Sequence, residues 1–145
     1  MQAFQFANYT FNTKVQLGKT LIQDVIRHKW LVLTPEEWVR QNVLQYLITN
    51  KKYPTSLISV EKKIQCGPVT KRFDIVIYNQ ATVPYMVVEC KAQDVPLTPA
   101  VLHQVATYQA SLQCNYVIVT NGMHWAGWLL KPSLVEIFDI PTYLP

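Results

Sequence analysis

Asp74, Glu89 and Lys91 are charges set inside two apolar runs, and their types and spacing suit chemistry. Residues 73–78 and 85–90 are rich in Val, Ile, Phe and Tyr. Residues 79–84 between them carry turn and breaker types, so the stretch predicts a β-hairpin. With the turn centred between Ala81 and Thr82, Asp74 lies opposite Glu89 on one face of an antiparallel pair. Alternation along the strand puts Lys91 on that same face. Facing like charges destabilise a sheet, and a cation between them relieves the repulsion. Oxygen donors suit magnesium or manganese. A lysine beside such a pair can orient or deprotonate a water, or neutralise an oxyanion, so the set suits metal-assisted phosphodiester hydrolysis. Glu-x-Lys alone is a common solvated alternation on exposed strands. Here Glu89 ends the apolar block Met86-Val87-Val88, typical of a strand covered on both faces, where an unpaired carboxylate is costly.

Asp74 with Glu89-Cys90-Lys91 resembles the core motif of the PD-(D/E)XK nuclease superfamily, although Phe73 stands where that motif has proline. More narrowly, LTPEEWVRQ, then KRFDIVIY, then VVECKA and VPLT before a Gln-bearing helix resembles the N-terminal domain of type I restriction enzyme R subunits. The resemblance spans roughly residues 20–125. It implies a restriction-endonuclease-like fold and a metal-dependent DNA endonuclease. Asp74 and Glu89 would bind Mg2+ or Mn2+, and Lys91 would assist the attacking water. The resemblance also implies a place beside translocase and specificity subunits.

The elements that must carry these residues can be read in turn. Residues 1–18 show little periodicity and are expected to form an irregular arm with at most one short strand. Residues 20–25 and 29–33 suggest a hairpin around residues 26–28, with His28 an exposed turn residue. Thr34-Pro35-Glu36-Glu37 is a strong helix start: Thr34 the N-cap, Pro35 first in the helix, Glu37 completing a capping box. The helix should reach about Asn50. Val39, Val43 and Leu47 mark its packed face, on which Glu36 and Arg40 also fall, an i, i+4 ion pair turned toward the sheet. The superfamily often has an acid on this helix that reaches the metal through water, and the resemblance assigns that role to Glu36.

Residues 56–66 alternate as a strand with one wet face, and Gly67-Pro68 turns the chain into the Asp74 strand. Lys62, Lys71 and Arg72 lie near the acids and suit either phosphate contacts or a solvated basic rim. After residues 92–97, Thr98 and Pro99 start a second helix, expected to reach about Gln113 with Val101, Val105, Tyr108 and Leu112 as its packed stripe. Gln104 and Tyr108 match a Gln-x-x-x-Tyr pair of the R-subunit family, where the Gln helps hold the site or the nucleic-acid backbone. Residues 115–120 then form a strand parallel to the Glu89 strand, and residues 123–130 and 134–140 a closing meander. The whole is α/β: a mixed central sheet with a main helix on either side.

At 145 residues and 50% hydrophobic, the chain suits one domain with a real core. Thirteen Lys and Arg against nine Asp and Glu give a net charge of +4, which fits a polyanionic partner such as DNA. Cys66, Cys90 and Cys114 show no metal-ligand spacing and are expected to be buried thiols. No run resembles a signal peptide or membrane span, so a cytoplasmic protein is expected. Residues 95–130 hold no Asp, Glu, Lys or Arg, which fits either burial under the arm and first hairpin or a subunit interface such as a homodimer's. From a different class, the alternative function is a non-catalytic module that keeps this fold to bind nucleic acid or a partner subunit. A third reading makes Asp74, Glu89, Lys91 and Arg40 a purely structural ion-pair network.

Overall fold

The computed structural model describes residues 1–107 and 111–145. In order, the strands and helices are β1 (Gln2–Ala3), β2 (Thr13–Gln16), β3 (Lys19–Gln23), β4 (Trp30–Val32), α1 (Pro35–Thr49), β5 (Ile58–Cys66), β6 (Val69–Tyr78), β7 (Pro84–Cys90), α2 (Pro99–Ala106), β8 (Tyr116–Thr120), β9 (His124–Leu129) and β10 (Val135–Ile137). The main sheet runs β1-β9-β8-β7-β6-β5, with β10 on the same side of β9 as β1 but nearer its C-terminal end. β7 and β8 pair in parallel across the α2 crossover, and every other neighbouring pair is antiparallel, giving the predicted mixed sheet.

The two helices lie on opposite faces. Val39, Val43, Leu44 and Leu47 of α1 pack with Ile75, Ile77, Val88 and Ile118 in one core cluster. Val101 and Leu102 of α2 lie against the other, which holds Val76, Val87, Val117 and Val119. Both faces of β6, β7 and β8 are therefore apolar, which is why their sequences run as continuous blocks of Val and Ile.

α1 begins and ends where its caps require. Thr34 Oγ1 accepts from the Glu37 amide at 3.0 Å, Pro35 follows in the first turn, and the Asn50 amide closes on Tyr46 O. α2 is shorter than its periodicity suggests. Thr107 already lies in a turn, and Leu112 makes a β-bridge with Cys66, so the expected continuation to Gln113 is overturned. Leu112 does serve the core, fully buried, but from that bridge. Tyr108 lies outside the described residues.

The arm differs from expectation in a useful way. β1 adds to the outer edge of the main sheet through Gln2 opposite Trp125, and β2 turns the predicted hairpin of β3 and β4 into a three-stranded sheet. Residues 95–130 supply α2, β8 and β9. Burial within the chain accounts for the lack of charge in the strands, where Val117, Ile118, Val119, Trp125 and Ala126 are buried, but not on α2, where Pro99, Ala100, His103 and Gln104 are exposed. All three cysteines are buried and free. No helix among the described residues is long and apolar enough to cross a membrane.

The turn between β8 and β9 presses directly on α1. Gly122 has φ +85°, and a Cβ there would meet Val39 Cγ2 at 3.1 Å. Both the left-handed backbone and the contact select glycine. Gly122→Ala is expected to lower stability by about 2 kcal/mol, read as a shift in the urea unfolding midpoint.

Candidate metal and active site

The register of the β6–β7 hairpin is the one the sequence predicts. Ile75 faces Val88, Val76 faces Val87 and Ile77 faces Met86, so one step further Asp74 comes level with Glu89. A bulge between Ile77 and Tyr78 absorbs the turn without changing that pairing.

Asp74 also sits at a roll in the sheet. Across β5 and β6, Val60 faces Ile75 and Lys62 faces Phe73, which places Glu61 beside Asp74. Ile58, Val60, Ile75 and Ile77 belong to the α1 core, whereas Ile64, Cys66 and Phe73 belong to the α2 core. Simple alternation would keep Ile58, Val60, Ile64 and Cys66 on one face. The change of face falls at Glu61, whose φ of 51° turns the strand over. Such backbone costs about 1 kcal/mol or more and persists only where surroundings hold it. Here two arginines do so: Arg40 Nη1 reaches Glu61 Oε1 at 3.0 Å and Arg27 Nη1 reaches Glu61 Oε2 at 3.3 Å.

Arg40 is the hub beneath the site. Its guanidinium grips Glu37 through two hydrogen bonds, reaches Glu61, and lies 3.9 Å from Asp74 Oδ1. This corrects the expected pairing on α1: the partner of Arg40 is Glu37 at i, i+3, and Glu36 at i, i+4 is exposed. The reason is local. Glu37 is buried where α1 meets the N-terminal sheet, and Gln41 Nε2 also donates to it at 2.9 Å while Gln41 Oε1 accepts the Val25 amide. Its carboxylate is thus engaged along the helix rather than turned back on the cap. Glu61 and the fully buried Asp24, which is held by the Ile26 and Arg27 amides and the Arg27 side chain, completed the network unseen by sequence reasoning. Asp24 fell within the run 20–25 read as a strand, next to the expected turn at residues 26–28.

The acids at the centre are crowded. Burial pushes the Asp74 carboxyl above its ordinary range. The Cys90 amide, donating to Oδ2 at 2.7 Å, and Arg40 pull the other way, and the charges of Glu36 and Glu89 push it up further. Glu36 therefore stands at the rim of the site within electrostatic reach of Asp74. Glu89 is buried, and Lys71 Nζ lies 3.1 Å from its Oε1. The ion-pair reading is met by Arg40 with Asp74 but not by Lys91: the cation on Glu89 is Lys71, which is therefore not a free basic rim. The Lys91 amide donates to Thr120 O at 2.8 Å, and the Lys91 side chain is half-buried with no carboxylate in ion-pair range among the described residues. The loop beyond Lys91 is tied by Asn121, whose Nδ2 donates to Val95 O at 2.9 Å.

The remaining candidates lie further out. Lys62 and Arg72 are exposed; alternation and pairing put Lys62 on the face of Lys71, and Arg72 on the other beside Lys63. Gln104 is exposed on α2, with its carbonyl taken by Thr107. His28 is exposed in its turn, as expected.

Two level carboxylates of unlike burial, one with its charge disfavoured, are oxygen donors of the type a hard divalent cation takes. Among the described residues no group of three or more His, Cys, Asp or Glu gathers for a metal. Magnesium commonly keeps several waters and takes one or two carboxylates plus phosphate, so the pair fits that ion.

An acid level with Glu-x-Lys on adjoining strands, in a mixed sheet between two helices, is the layout of a PD-(D/E)XK nuclease-type domain. The family model of the type I restriction enzyme R protein N terminus matches residues 35–141, most of the chain, and the chain belongs to that family. The match begins at the first residue of α1 and leaves β1 to β4 outside it. No curated protein matches the chain at a significant level.

Proposed function

We propose that this domain is a magnesium- or manganese-dependent DNA endonuclease that hydrolyses phosphodiester bonds. The observation that carries the reading is the register that brings Asp74 level with Glu89, with Lys91 emerging at the end of the Glu89 strand. Asp74 and Glu89 would hold the ion, which supplies Lewis acidity at the phosphoryl oxygen and acidifies a bound water. The Cys90 amide fixes the orientation of Asp74, and Arg40 holds the strand roll that presents it. Lys91 orients or deprotonates the attacking water, and Glu36 shapes the field at the rim. Gln104 and Lys62 contact the DNA backbone, whereas Arg72, on the opposite face of its strand, has no part in that contact. Lys71 joins them when it leaves Glu89. Target selection falls to translocase or specificity subunits, as suits the N-terminal part of an R protein.

A test separates catalysis from metal binding. Wild-type chain with magnesium or manganese is expected to nick supercoiled plasmid DNA, and chelator to stop it. Lys91→Met is expected to cut at least about 100-fold more slowly while retaining metal-dependent stabilisation. Cleavage that survives chelation, or an unimpaired Lys91→Met, refutes the assignment. DNA binding without any cutting selects the non-catalytic module.

A further inference from the structure

A second concave site lies beside the first, on the other flank of α1. Residues 3–9 leave the edge of the main sheet, where the Phe4 amide donates to Met123 O at 2.7 Å. They arch over α1 to a second anchor, Tyr9 Oη donating to Asn50 Oδ1 at 2.6 Å. Between arm, α1 and the β8–β9 turn is a cleft of about 520 Å3, within the roughly 300–1,000 Å3 of small-molecule sites. Trp38 stands at its mouth, 39% exposed and held edge-on by Phe11 at 5.5 Å between ring centroids. Gln93, two residues beyond Lys91 in the chain, also lines it.

The chemistry of the lining is selective. No Lys, Arg, Asp or Glu contributes to it; aromatic rings and neutral amides do. Apart from the imidazole of His124, a phosphate would find no cationic side chain there, whereas a flat, neutral heteroaromatic ring would find both stacking surface and hydrogen-bonding groups. One polar group is left waiting. Asn42 is only 3% exposed and lines the cleft. Its Nδ2 donates to Trp38 O at 2.9 Å, which fixes the amide, and its Oδ1 accepts from no described residue. A buried acceptor without a donor is costly, and an amino group on an incoming ring would satisfy it.

We infer that the cleft under the arm receives an unpaired, amino-bearing nucleobase displaced from DNA next to the proposed scissile phosphate. The inference rests on the reading of the domain as DNA-binding and names the form of DNA that it prefers: duplex with an extruded or unpaired nucleotide. The arm that closes the cleft lies outside the span matched by the family model.

Fluorescence anisotropy of labelled DNA in chelator tests this without using the metal site. The probes are a perfect duplex, the same duplex with one unpaired adenosine, one with unsubstituted purine nucleoside there, and one with an abasic site. The adenosine bulge is expected to bind the full chain about tenfold more tightly than the perfect or abasic duplex. Loss of the amino group is expected to forfeit about fivefold. Trp38→Ala, at an exposed position, should bring the bulge-to-duplex ratio near one, and Gln93→Ala, on the loop, should reduce it. Equal binding of bulged and perfect duplex overturns the inference while leaving the nuclease reading intact, since plasmid nicking is measured separately. A preference that survives both substitutions overturns it too, as does failure of every probe to bind, and plasmid nicking with metal then decides the nuclease reading by itself.

Discussion

Asp74→Ala is expected to abolish both DNA cleavage and the rise in thermal stability that magnesium or manganese gives the wild-type protein. Metal at about ten times its dissociation constant adds about 1.4 kcal/mol, or about 3 to 6 °C for a domain of this size. The alanine variant should show no such shift, and its cleavage should fall by at least about 100-fold. A metal-dependent shift that persists in Asp74→Ala places the ion elsewhere. The metal-free protein offers a companion measurement. Burial and the neighbouring acids hold the Asp74 carboxyl above its ordinary range despite the Cys90 amide and Arg40. A carboxyl raised on folding favours the native state most when protonated, below its unfolded value, and that contribution is lost as pH rises through the folded value. Asp74→Asn keeps an oxygen for the Cys90 amide and removes the charge. Without metal it should therefore be more stable than wild type at neutral pH, with the gap closing on acidification. A constant gap from pH 7 to pH 3 would disprove the crowding.

The largest effect on folding is expected at Arg40. Removing one member of a buried ion pair leaves the other charged and undersolvated, typically a loss of about 3–5 kcal/mol. Here Arg40→Ala strands Glu37, which is buried, and loosens Glu61, whose left-handed backbone needs holding. Of the roughly 5–15 kcal/mol that holds a domain together, this is a large part. Arg40→Lys should recover only some of it, since an ammonium cannot grip Glu37 and Glu61 in the same fork. The double replacement Arg40→Met with Glu37→Met should cost less than Arg40→Ala, because no buried charge is then abandoned. Urea unfolding of the three variants decides this; an Arg40→Ala loss under about 1 kcal/mol would mean that solvent screens the pair.

What could be read from the chain follows from how local each determinant is. The caps of α1 depend on Thr34, Pro35 and Asn50 alone, and were legible. The register that levels Asp74 with Glu89 depends on one turn and two apolar runs, and the parallel pairing of β7 with β8 on a helical crossover. What escaped depended on distant packing. Glu37 turned inward because a sheet formed by residues 13–32 buries that side of α1, a contact invisible from helix periodicity. Glu61 lay in an alternating strand, and nothing local marks the left-handed residue where the strand rolls between two cores. Leu112 pairs with Cys66, a contact distant in sequence from α2, and β1 found its place only once β9 existed to pair with it.

The ammonium of Lys71 on Glu89 has a consequence for the proposed chemistry. The proposed site carries its own counterion, so metal uptake there would be an exchange and not a simple addition. Occupancy would then follow the competition between a tethered cation and a free one. Every ion that enters would release a positive side chain at the surface where a DNA backbone would lie. Loading the metal and tightening on the polyanion would become two halves of one displacement, each favouring the other.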